Sequence, residues 1–132
     1  MTQEETIKLL ALIKLAYPNS YKDIDRDTQL ATINLWHRAF TDTPIGIMEM
    51  ALDNFVKESK FPPTIADIIE RLRIINGEAT LCVLTLSEGK ERDAYRYIVN
   101  ATAQYSGRDE SVIQHNRIDN LLKGNSQPLI GG

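Results

Sequence analysis

The chain is poor in residues and segments on which many protein classes depend. One cysteine among 132 residues cannot form a disulfide within the chain, and a lone thiol in an apolar run is typical of a reducing cytoplasm. No apolar stretch approaches the roughly 20 residues that a membrane-spanning helix needs. The acidic start MTQEETIKLL differs from the basic start of a signal peptide. We therefore expect a soluble, intracellular protein that does not contact a membrane.

An excess of positive charge is also missing. The chain carries 15 Lys and Arg against 18 Asp and Glu, whereas each neutralised nucleic-acid phosphate needs a cation. The segment PTIADIIERL superficially resembles the first helix of a helix-turn-helix, but Arg71 stands where the turn glycine belongs and the glycine comes only at Gly77. The following TLCVLTL lacks the polar side chains that read base edges. We expect no direct, specific contact with nucleic acid.

Residues for catalysis, metal binding or nucleotide binding are few. The two histidines, His37 and His115, are not paired at metal-ligand spacing, and Cys82 has no neighbouring cation that would activate its thiol. Neither a P-loop nor a G-x-G-x-x-G motif is present. The segment DIDRD alternates like a calcium loop but lacks its glycine and its final glutamate, so we interpret it as helix caps in a solvated turn. We expect no enzyme, no bound metal and no cofactor.

Hydrophobic periodicity predicts an all-α protein, a small bundle of four N-terminal helices with one or two further helices and a flexible C-terminal end. Thr2 and Glu5 form a capping box that begins the first helix, and Pro18 ends it. The second helix is predicted over 27–41, and the third begins with Thr43 as N-cap and Pro44 in its first turn. Four large aromatic residues are predicted core members: Trp36, Phe40, Phe55 and Phe61.

The segment KFPPT separates the third and fourth helices. Pro62 and Pro63 prevent these helices from merging, and Thr64 caps the fourth helix in a capping-box variant with Asp67. Phe61 is placed for a staple-like contact with the new helix. We predict that Phe61, Pro62, Pro63 and Thr64 form a rigid structural elbow that orients the fourth helix.

The pattern becomes less regular after the fourth helix, which is predicted to end at Asn76 and Gly77 with a left-handed C-cap. The apolar run EATLCVLTL is compatible with helix or strand, and 92–105 and 109–123 read as amphipathic helices. We therefore predict three parts of the chain: a helical core domain at 1–77, an additional helical segment packed on or linked to it at 78–108, and an amphipathic segment with a flexible tail at 109–132.

The order of features resembles that of the bacteriophage replicative helicase loader and inhibitor family. The resemblance covers roughly the first 75 residues, and DAYRYIVNATAQYSG resembles a downstream stretch more loosely. It rests on Ala16-Tyr17-Pro18, Asp25 to Thr28, Trp36, Asp42, Ala51-Leu52, Phe55 and Phe61 to Ile65.

The resemblance implies a small, helical, non-enzymatic protein of the host bacterial cytoplasm that acts in phage DNA replication. Such proteins bind a hexameric DnaB-type replicative helicase in its nucleotide-bound form, restrain its ATPase and unwinding, and deliver it to a phage initiator at the origin. The family assigns the helicase contact to a flexible C-terminal part, although 78–105 is more apolar here than such a part would be. Carried over by position, the predicted helicase-binding anchors are Ile113, Ile118, Leu121, Leu122, Leu129 and Ile130.

Two other functions remain open from the residues alone. A DNA-binding transcription regulator would show duplex affinity that depends on salt, which the charge balance disfavours. A non-catalytic homo-oligomeric interaction scaffold would self-associate without capturing a helicase. The C-terminal apolar residues are compatible with folding on a partner and equally with packing back onto the domain.

Overall fold

The computed structural model describes residues 1–106, which form five α-helices and two short 3-10 turns without any strand. This confirms the predicted all-α class. None of the helices between residues 1 and 106 combines the length and the hydropathy that crossing a bilayer requires. The helices are α1 (Gln3–Ala16), α2 (Arg26–Ala39), α3 (Ile45–Val56), α4 (Ile65–Thr85) and α5 (Lys90–Ala101), and the 3-10 turns are Pro18–Tyr21 and Ala103–Tyr105.

Helix α1 begins and ends where local sequence signals place it. The Glu5 amide donates to the Thr2 hydroxyl oxygen at 3.1 Å, and the Thr2 amide donates to the Glu5 carboxylate at 2.8 Å. This reciprocal pair satisfies two amides that the first turn leaves free. The helix ends at Ala16, two residues before Pro18, because the residue before a proline avoids helical geometry.

The start of α3 differs from the prediction. Pro44 is the N-cap and the helix begins at Ile45, so the prediction of Thr43 as N-cap with Pro44 in the first turn is wrong. Thr43 is fully buried. Its hydroxyl lies 2.6 Å from the Tyr105 hydroxyl and accepts a hydrogen bond from the Gln104 amide at 3.2 Å. Because these long-range partners engage the oxygen, it does not cap the helix.

The carboxyl end of α2 is held by the first residue of the chain. The amine of Met1, a buried residue, donates to the carbonyl oxygens of Phe40 at 3.3 Å, Thr41 at 2.9 Å and Thr43 at 2.7 Å. A positive charge is favoured there because helix dipoles place partial negative charge at the carboxyl end. The contact ties the start of α1 to the connection between α2 and α3.

Helix α4 is longer than predicted and continues through Gly77 to Thr85. The predicted C-cap at Asn76 and Gly77 is therefore wrong, and EATLCVLTL lies mostly inside the helix. The cause is a tertiary contact: the buried Asn76 amide nitrogen donates to the Thr102 hydroxyl oxygen at 3.1 Å and to the Val99 carbonyl at 3.4 Å. The boundary proposed between residues 77 and 78 thus falls inside α4.

Replacing Gly77 with alanine is expected to raise the free energy of unfolding by about 0.5–1 kcal/mol, because glycine is a poor helix former. An added Cβ at this exposed position meets no atom within 4 Å. Thermal unfolding followed by circular dichroism measures the change. Gly89→Ala is the matched control: its φ of +151° disfavours a side chain, so stability should fall. A lower melting temperature for Gly77→Ala would contradict a continuous α4.

The core forms where α3 packs between α1 and α4, with α5 packed against α4. The Phe40 ring is fully buried, with its centroid 5.7 Å from that of Trp36 and 6.4 Å from that of Tyr105. Tyr105 lies in the last 3-10 turn. The segment after α4 therefore shares one hydrophobic core with the first three helices.

Phe61 is the exception among the four aromatic residues predicted for the core. Its side chain is 76% exposed, so its predicted core position and its staple-like contact are both wrong. The Ser59 hydroxyl accepts from the Phe61 amide at 3.2 Å and donates to the Phe61 carbonyl at 2.9 Å. This tight turn precedes Pro63, which is buried while the Phe61 ring is not.

Candidate interaction surfaces

The predicted site residues form two groups, and the structure describes one of them. The elbow lies between the end of α3 and the start of α4. The six predicted helicase-binding anchors, Ile113, Ile118, Leu121, Leu122, Leu129 and Ile130, lie outside the described residues.

Two sets of hydrogen bonds lie at the elbow, one in the cap of α4 and one between α4 and the end of α3. The Asp67 amide donates to the Thr64 hydroxyl oxygen at 3.1 Å, and the Thr64 amide donates to the Asp67 carboxylate at 2.9 Å, which confirms the predicted cap. Further along α4, Arg71 donates to Asn54 and to Glu58, each at 2.7 Å. These bonds join the two helices that the prolines separate. That residues 61–64 form a rigid elbow that orients α4 stays a prediction.

The described residues do not assemble a site for metal chemistry. No group of three or more His, Cys, Asp or Glu within residues 1–106 is placed to hold a metal ion. Asp25 occupies the N-cap position of α2, but its side chain makes no capping hydrogen bond, so its interpretation as a cap holds for position only. His37 and Cys82 are each half-buried on separate helices. What the folded part offers is apolar surface.

The first apolar surface is a groove of about 100 Å³ between α1, α2 and the turn that joins them. Its size is of the order of a single apolar side chain. Burial raises the pKa of Tyr21, which lies at its wall beside Tyr17. The groove is lined by Ile7, Leu10, Ala11, Lys14, Tyr21, Ile24, Gln29, Thr32 and Ile33.

Lys14 gives this groove a positive charge. Among the described residues it forms no ion pair. Ile7 and Ile24 remain 47% and 37% exposed. The groove is therefore a concave apolar wall with one lysine among its lining residues.

The second apolar surface lies along the outer side of α4. Ile74, Leu81 and Leu84 are 39%, 63% and 75% exposed. They recur at i, i+7 and i+10, so they share one side of the helix. Gly77 lies between them without a side chain. We call these four residues the α4 strip.

Sequence reasoning missed both surfaces. The period of α1 does not tell which of its apolar residues a neighbouring helix covers, and the predicted end of the fourth helix at Gly77 concealed the strip. The signal that was available is a helical period that continues from Ile74 to Leu81 and Leu84 across the glycine. The same continuity removes the helix-turn-helix interpretation, since α4 is unbroken at Arg71.

Comparison with known proteins finds one family. The family model for the N-terminal domain of the phage SPP1 helicase loader and inhibitor matches residues 1–69, which is 69 of the 132 residues. No curated protein and no solved structure matches the chain. The matched part contains the groove, the elbow and the first turn of α4, and it ends before the α4 strip.

Proposed function

The chain belongs to the family of the phage SPP1 helicase loader and inhibitor, and from this membership we propose how it acts. It binds a hexameric DnaB-type replicative helicase, restrains the ATPase and unwinding of that helicase, and delivers it to a phage initiator at the replication origin. The observation that carries the proposal is the family match over residues 1–69.

The architecture supports a delivery role because delivery requires contact with two proteins at once. Within residues 1–106, the groove belongs to α1 and α2, whereas the strip belongs to α4, and α3 packs between α1 and α4. Two partners can therefore be held on separate parts of the fold. The helicase contact is proposed for the C-terminal segment from Asp109 onward, with Ile113, Ile118, Leu121 and Leu122 as its buried anchors.

The composition supports reversible binding. The formal charge of −3 keeps the protein from being retained on DNA while it works beside a DNA-bound machine. A segment that orders only when it binds loses conformational entropy at that moment, which lowers its affinity and favours release. A loader needs such release because the helicase must leave it to unwind DNA.

Capture of the host's purified DnaB-type helicase, with and without ATP, tests the proposal. We expect the full chain to capture the helicase better with ATP. The double variant Leu121→Asp, Leu122→Asp should weaken capture about 30-fold or more, because buried apolar anchors dominate interface energies. Leu15→Asp is the matched control, since Leu15 is 77% exposed and outside the groove.

The outcomes separate the function from the location of its contact. No capture by the full chain in either condition would refute the helicase proposal. Undiminished capture by the double variant and by a chain truncated after Arg108 would keep the function but move the contact into the helical part. Loss of capture in Leu15→Asp as well would mean that the effect of the double variant is not specific.

A further inference from the structure

The α4 strip is an apolar helix face that the described residues leave uncovered. The opposite side of α4 packs against α3 and α5 through buried residues such as Ile68, Leu72 and Ala79. Leu81 and Leu84 are more than half exposed. Single exposed leucines are ordinary, but aligned large aliphatic residues on one helix side mark interaction surfaces.

The charges beside the strip are mostly negative. Glu70 and Glu78 are exposed on the same side of α4, and Asp67 belongs to its first turn. Two cations lie on the same stretch of α4: Arg73 pairs with Glu70 at 3.5 Å, and Arg71 pairs with Glu58 at 2.7 Å. Glu78 forms no ion pair within residues 1–106. The strip is therefore an apolar row with an acidic border.

The dimensions of the strip fit a helix. The helix rises about 15 Å over the ten steps from Ile74 to Leu84, or nearly three turns. Gly77 leaves a gap in the row, and side chains of a second helix insert into such gaps between ridges. An amphipathic helix laid on a helical face is a recurring mode of recognition.

A second copy of this chain is a poor match for the strip. If two copies paired in antiparallel fashion about the middle of the strip, Glu78 of each would face the other. Like charges brought together at an interface oppose binding. The acidic border instead favours a partner that brings positive charges.

We propose that the α4 strip binds an amphipathic helix of a partner protein whose apolar face is flanked by Lys or Arg. This contact is additional to the helicase contact proposed for the C-terminal segment. It also lies beyond residues 1–69, the part matched by the family. The basic side chains of the partner pair with Glu70 and Glu78 while its apolar residues cover Leu81 and Leu84.

Two synthetic peptides, titrated into the isotope-labelled full chain by NMR, test this proposal. Both are 18-residue amphipathic helices with the same leucine face, one with lysine and the other with glutamate at the polar positions. The lysine peptide should give saturable shifts at Ile74, Leu81 and Leu84 and bind at least tenfold more tightly than the glutamate peptide. The double variant Leu81→Gln, Leu84→Gln should bind the lysine peptide at least tenfold more weakly than the unchanged chain does.

Two further variants make the test specific. Leu35→Gln is the matched control, because Leu35 is 49% exposed on α2, and it should leave binding unchanged. The charge swap Glu70→Lys, Glu78→Lys should reverse the preference, so that the glutamate peptide binds more tightly.

Three results would overturn the proposal. The first is equal affinity for both peptides, and the second is saturable shifts that map away from α4. The third is a dimer, detected by light scattering, that the Leu81→Gln, Leu84→Gln variant abolishes, since a second copy would then occupy the strip.

Discussion

Replacing Phe40 with alanine is expected to lower the free energy of unfolding by about 3–5 kcal/mol, because it removes a fully buried ring and leaves a cavity. The rings of Trp36 and Tyr105 lose their contact with it. A domain of this size is stable by roughly 5–15 kcal/mol, so the variant should lie close to the limit of folding. Urea unfolding followed by circular dichroism measures the loss.

The control for this variant lies on α2, the helix of which Phe40 is the C-cap residue. Leu35→Ala removes a large aliphatic side chain that is 49% exposed, and its effect should be much smaller than that of Phe40→Ala. Because Phe40 joins α2 to Tyr105, hydrogen exchange at α5 amides should accelerate together with exchange at α2. If α5 amides stayed protected from exchange while α2 amides exchanged faster, the residues after α4 would fold independently of the first three helices.

The beginnings of α1 and α4 were predictable from sequence because their causes are local. The capping boxes at Thr2 and Thr64 each involve a partner only three residues away, so the pattern of neighbouring residues contains the whole interaction. The end of α1 before Pro18 is equally local. The class and the number of N-terminal helices follow from such signals.

Features set by distant partners were not predictable in this way. Thr43 has cap chemistry, but its oxygen is engaged by Tyr105, 62 residues later. Asn76 and Gly77 form a typical helix end, but the Asn76 amide is engaged by Thr102, 26 residues later. In both cases a tertiary hydrogen bond overrides the local preference. The resulting errors concern one helix start and one helix end, and they leave the bundle itself unchanged.

The interaction surfaces were harder to predict than the fold. Periodicity identifies apolar residues on one side of a helix, but it does not say whether another helix covers them. Ile7 and Leu81 look like core residues in the sequence, yet both are substantially exposed. The predicted anchors from Ile113 onward stay predictions, because they lie outside the described residues.

The two surfaces of the fold differ in charge as well as in place. The groove carries the cation of Lys14, whereas the α4 strip carries the carboxylates of Glu70 and Glu78. The basic partner helix proposed for the strip is therefore not favoured at the groove, where the charged lining residue is Lys14. If the protein holds two different partners, as proposed, this difference in charge favours a separate partner at each surface.

Replacing Asn76 with aspartate is expected to destabilise the protein strongly and in a manner that depends on pH. Asn76 is buried, and its amide nitrogen donates to the Thr102 hydroxyl oxygen and to the Val99 carbonyl. The Thr102 hydroxyl already donates to the Ile98 carbonyl at 2.7 Å. A carboxylate at position 76 would therefore face two acceptor oxygens and no hydrogen-bond donor. Burial would raise its pKa above the ordinary value of about 3.9.

The sign of the pH dependence follows from the raised pKa. Below about pH 3.9 the carboxyl is protonated in both states, and as a donor it can keep one of the two hydrogen bonds. Above that pH the unfolded state ionises first, so stability falls by about 1.4 kcal/mol per pH unit until the folded carboxyl ionises too. At pH 7 the loss from this cause reaches up to about 4 kcal/mol.

Urea unfolding of the Asn76→Asp variant and the unchanged chain between pH 4 and pH 8 measures this difference. Asn34→Asp is the matched control, since Asn34 is exposed and its oxygen accepts from Gln3, as a carboxylate would. Its difference from the unchanged chain should stay small and nearly constant with pH. A pH-independent difference for Asn76→Asp would mean that water reaches the side chain, and hence that α5 is not packed against α4 at this point.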